Sequence, residues 1–87
     1  SVSQAYPNPF NSRIRMDYYI GHEFGDIDIN IDILDINGRL IENLIKNRIS
    51  VGFHSVFWNS KNNATGIYFI QLSAGDFIAT QKIIFIK

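Results

Sequence analysis

Every second residue between Asp26 and Leu34 is an isoleucine: Ile27, Ile29, Ile31 and Ile33 alternate with Asp28, Asn30 and Asp32. Successive side chains point to opposite faces in an extended strand, so this run presents one apolar and one polar face. A helix would scatter the same isoleucines around its circumference, where β-branching also costs χ1 freedom. Ile14, Met16, Tyr18 and Ile20 repeat the pattern against Arg15, Asp17 and Tyr19. No window sustains apolar residues at i, i+3, i+4 and i+7. The chain reads as all-β, built of half-buried antiparallel strands.

Turn residues set the strand boundaries. Pro7 and Pro9 flank Asn8 and cannot occupy a central strand, so the chain starts as an extended edge or a turn. Gly21–Gly25 reads as a loop. Asn37-Gly38 signals a type I′ hairpin joining Ile27–Ile36 to Leu40–Leu44. Val51-Gly52 opens a strand through Phe53–Trp58, and Asn59–Asn63 is a polar loop. Gly66 precedes a strand Ile67–Leu72, Ala74-Gly75-Asp76 turns, and Phe77–Ile86 closes the chain. With a short strand near Tyr6 this gives about seven strands, spaced as in a β-sandwich. Ile33 and Leu34 are adjacent and break the alternation, which predicts a bulge there or burial on both faces.

The 87 residues make one domain, 1–87, with 1–5 read as a linker remnant. The Ser1-Val2-Ser3 opening reads as a cut from a longer protein. Eight basic and eight acidic residues cancel, and a neutral chain lacks the basic excess of a nucleic-acid binder. The longest uncharged apolar run, Ile83–Ile86, is far short of a membrane span. Without cysteine there is no disulfide and no thiolate metal site.

Candidate chemistry is sparse. Asp26-Ile27-Asp28-Ile29-Asn30 starts like a calcium loop but has Ile31 where the turn needs glycine and Asn37 where a bidentate Glu belongs. Carboxylates on a solvated strand face are the simpler reading, leaving only a weak surface cation site as the alternative. His22 reads as a solvated loop residue and His54 as a half-buried structural one, neither with a partner at ligand spacing. No serine or threonine stands in a nucleophile motif, so no catalytic residue and no cofactor are assigned. Asn63-Ala64-Thr65 is a formal glycosylation sequon. The aromatic residues read mainly as core, with Tyr19, Phe53 and Phe57 as an alternative sugar-stacking platform.

Five motifs, in order, carry a resemblance. They are Tyr6-Pro7-Asn8-Pro9-Phe10-Asn11, then Ile33-Leu34-Asp35-Ile36-Asn37-Gly38-Arg39, then Gly52-Phe53-His54-Ser55-Val56-Phe57-Trp58-Asn59, then Gly66-Ile67-Tyr68, then Lys82-Ile83-Ile84-Phe85-Ile86. Together they resemble the type A C-terminal sorting domains of the type IX (Por) secretion system. The pattern is also similar to the immunoglobulin-like domain of the flagellar hook-capping protein. Asn59 departs from the usual Asp after Trp, and Asn62–Thr65 from the usual approach to the glycine.

The resemblance implies an immunoglobulin-like antiparallel β-sandwich and a non-catalytic sorting and surface-anchoring signal. It implies export through the periplasm to the outer surface, the outer-membrane secretion machinery as partner, and a parent enzyme domain preceding this one. The motif residues it singles out are Pro7, Asn8, Pro9, Phe10, Asp35, Gly38, Trp58, Gly66, Tyr68, Gly75 and Lys82. The expected recognition strand is Lys82, Ile83, Ile84, Phe85, Ile86 and Lys87, pairing through an exposed edge with an open sheet on a receptor. The alternatives are a passive spacer or scaffold module and an ancillary carbohydrate-binding module.

Overall fold

The computed structural model describes residues 1–87 and contains strands but no helix. Six strands follow in order: β1 (Arg13–Ile20), β2 (Ile27–Asp35), β3 (Leu40–Ile49), β4 (Gly52–Asn59), β5 (Gly66–Ala74) and β6 (Phe77–Phe85). β1 and β4 form one antiparallel sheet, and the order β3-β2-β5-β6 forms the other. The alternation explains the burial. Ile14, Met16, Tyr18 and Ile20 of β1, Ile29, Ile31 and Ile33 of β2, and Tyr68, Ile70 and Leu72 of β5 all enter one apolar cluster with Trp58 and Phe85. The polar alternates face solvent.

The segment expected as a seventh strand contributes only isolated bridges. Val2 faces Tyr18 and Tyr6 faces Arg15 on β1, whereas Phe10 lies parallel to Phe85 on β6. The segment thus crosses from one sheet to the other, with cis bonds before Pro7 and Pro9. A prolyl nitrogen has no hydrogen to give a ladder, so the prolines interrupt pairing where the chain changes sheet. Residues 1–5, read as a linker remnant, are ordered against β1: the Ser3 N–H donates to the Asp17 carbonyl at 2.9 Å, and Ala5 is buried.

Two local readings need correction. The Asn37-Gly38 turn is not type I′, which needs positive φ at both residues. Only Gly38 has it, at +82°, and no non-glycine residue of the chain does. The Gly38 N–H donates to the Asp35 carbonyl and the Asp35 N–H to the Arg39 carbonyl, each at 2.9 Å. That is a type I turn followed by a left-handed glycine, the usual three-residue hairpin connection. The Asp35 side chain explains the choice, because Oδ1 accepts from the Asn37 and Arg39 N–H groups at 2.9 Å. Secondly, β3 runs on to Ile49, well past Leu44. The irregularity expected at Ile33/Leu34 is present in the β2–β3 pairing, and a second shift lies at Ile31/Asp32. Both leave the extra residue (Ile41, then Leu44) on the edge strand β3, while β2 pairs with β5 without interruption.

Candidate recognition site

Most of the motif residues converge on one end of the molecule. Phe10 stacks on Phe85 with ring centroids 5.4 Å apart and tilts against Trp58 at 5.8 Å. Trp58 meets Tyr68 edge-on at 5.2 Å, joining the two sheets. The Trp58 indole N–H donates to Glu42 Oε1 at 3.1 Å, and the Tyr68 hydroxyl donates to the Ala64 carbonyl at 2.5 Å. Both aromatic rings are thereby buried with their polar atoms satisfied. Asp35 sits beside Tyr68 across the β2–β5 ladder, and its Oδ2 accepts from Arg39 Nε at 3.0 Å. The N–H of Arg39, then its guanidinium and the N–H of Asn37, hold the Asp35 carboxyl below its ordinary range against partial burial. Gly66 starts β5 with φ +153°, a value glycine accepts and side chains resist. Gly75 lies apart, in the β5–β6 turn at the other end, with φ +60°.

The closing strand is held on both sides. One side is the β5 ladder. On the other, Asn8 donates through Nδ2 to the Lys82 carbonyl at 3.0 Å and accepts at Oδ1 from the Ile84 N–H at 2.9 Å. The Phe10 N–H donates to the Ile84 carbonyl, and the Ile86 N–H donates to the Phe10 carbonyl, each at 2.9 Å. The edge expected to be exposed from Lys82 to Ile86 is therefore covered by the segment Asn8–Phe10. The reason is chemical: the Asn8 side-chain amide mimics a peptide group where Pro7 and Pro9 cannot donate. Ile83 and Phe85 point into the core, while Lys82 and Ile86 are exposed and Ile84 is half-buried.

Two anchoring residues went unnoticed in the sequence. Gln81 accepts from the Ala5 N–H at 2.8 Å through Oε1 and donates to the Ser3 carbonyl at 2.6 Å through Nε2, pinning the first residues to β6. Its signal was available, since Gln81 is polar in the same phase as Ile83 and Phe85. Ser60 is fully buried and donates to the Ser12 carbonyl at 3.1 Å. No pattern in the sequence marks it.

Elsewhere His54 stacks on Tyr18 at 5.4 Å, with Nε2 2.7 Å from the Ser50 carbonyl, and His22 is exposed. Asp28 is engaged by Arg48 at 3.5 Å on the surface. On the outer face of the β1–β4 sheet, Tyr19 packs on Phe53 at 4.7 Å, and Phe53 stays 86% exposed. Phe57 is covered by the Arg13 guanidinium at 4.2 Å. Asp17 on this face is held low by hydrogen bonds from Ser55 and then Arg15, and Tyr6 adds a third.

The fold and its aromatic end define a small all-β module whose first and last segments lock together. Over residues 4–87 the chain matches the secretion system C-terminal sorting domain, and it belongs to that family of type IX sorting domains. Comparison with curated proteins and with solved structures gave no match. Membership makes the chain a signal module for export, recognised in general by the type IX machinery and directed to secretion or the cell surface.

Proposed function

We propose that residues 1–87 follow an enzyme domain in the parent protein, carry it from the periplasm through the outer membrane, and serve to anchor it at the surface. The observation that carries this reading is the family match along nearly the whole chain. The gathering of Pro7–Phe10, Asp35, Trp58, Gly66 and Tyr68 around the closing strand supports Lys82–Lys87 as the element that is read. We also propose an immunoglobulin-like sandwich, with the first segment as a seventh strand divided between the sheets. The strand order, the bridges and the tyrosine hydroxyl bonded to backbone four residues upstream favour it.

The test fuses residues 1–87 to a periplasm-directed fluorescent protein in a host with type IX secretion and in a mutant lacking it. Export in the intact host alone is the expected result. Retention in both, with the domain folded, would leave a passive spacer module. The exposed Phe53 ring, packed on half-buried Tyr19, supports a second reading, in which the two stack on a sugar. Polysaccharide titration should then quench tyrosine emission, and a flat titration removes that reading.

A further inference from the structure

The covered edge changes what a partner can touch. Resting on the sorting function proposed above, we infer that the machinery reads the outer face of the β3-β2-β5-β6 sheet at its C-terminal end rather than the edge of the closing strand. Paired residues share a face, so the register gives a row Leu40–Leu34–Phe69–Lys82 across all four strands, with Ile67–Ile84 beside it. Leu40 is 60% exposed and Ile67 38%. Ile36 and Ile86 extend the surface at 67% and 52%. Towards the other end the same face turns mostly polar, through Asp32, Gln71 and Thr80 and then Asn30 and Ser73, with Ile78, 62% exposed, as the apolar exception. The C-terminal half of this face is thus the more continuously apolar, and it carries the outward side chains of the closing strand.

Charge fits one kind of occupant. Lys82 ends the row, Lys87 follows Ile86 at the rim, and both are exposed without a carboxylate within ion-pair distance. Asp35, at the same end of the sheet, is already engaged by Arg39. The surface therefore fits a protein partner with an apolar face bordered by carboxylates, and the cationic rim sets its register. Exposed apolar residues grouped inside a charged rim mark interaction sites.

The experiment uses the same fusion, with Ile67→Thr/Ile84→Thr and Lys82→Glu as face variants and Lys82→Arg and Ser73→Thr as controls. Thermal unfolding followed by Trp58 emission establishes that each is folded. Wild-type export must first depend on the machinery, and its failure to do so defeats the sorting reading itself. Given that export, each face variant is expected to lower it by about tenfold while the controls keep it. Folded face variants exported at the wild-type rate would overturn the inference and leave the sorting function standing. A dimer in sedimentation that Ile67→Thr/Ile84→Thr dissociates without loss of export would assign the face to a second copy and overturn it equally.

Discussion

Asp35 shows how much one side chain settles. It accepts two backbone N–H groups and a guanidinium, so it selects the turn, seats Gly38 and neutralises its own charge. Its folded-state carboxyl titrates below the ordinary value, as does that of Asp17. A lowered folded pKa contributes stability above the unfolded pKa and loses it as pH falls through the folded one. Thermal midpoints measured between pH 6 and 2 should therefore fall below about pH 4. Asp35→Asn should flatten that fall, and added salt should weaken it, because the Arg39 partner is exposed. Tyr68→Phe deletes the bond to the Ala64 carbonyl and should cost about 1 kcal/mol in urea unfolding. Gly38→Ala forces a side chain to φ +82° and should cost about 1–2 kcal/mol. The glycine and the tyrosine were legible in the sequence. The turn type was not, because the Asn-Gly pair signals it only while the aspartate two residues earlier is ignored.

Elements tell a second story, of edges. β3 is the open flank of its sheet, and two register shifts break its ladder against β2. Such irregularity makes a poor template for another strand. β6 is the other flank, and there Asn8 and Phe10 cover the end near Phe85. Asn8→Ala should speed amide exchange at Ile84 and leave Ile86, bonded to Phe10, the better protected of the two; two-dimensional NMR reads both. Phe10→Ala should cost about 3–5 kcal/mol, since its ring is buried against Trp58 and Phe85. Alternation within each strand was readable because it is local. The pairing of Asn8 with Ile84 joins residues 76 apart in sequence, and no local period encodes it.

At the scale of the whole molecule, one apolar cluster takes side chains from both sheets and from Ala5 and Phe10. A single core predicts one cooperative transition, seen alike by Trp58 emission and by circular dichroism. Removing residues 1–11 should lower that midpoint and make the protein associate as concentration rises, because the edge of β6 is then bare; sedimentation checks the second effect. The all-β class and the core-facing positions followed from period two alone. The aromatic end around Phe10, Trp58 and Phe85 did not, because it is assembled by packing between segments remote in sequence. The parallel contact of Phe10 with β6 also has a mechanical meaning. A load applied between Ser1 and Lys87 pulls these neighbouring segments past one another along their length. The bonds between Phe10 and Ile84 and Ile86 then resist in shear and break together rather than peeling one by one.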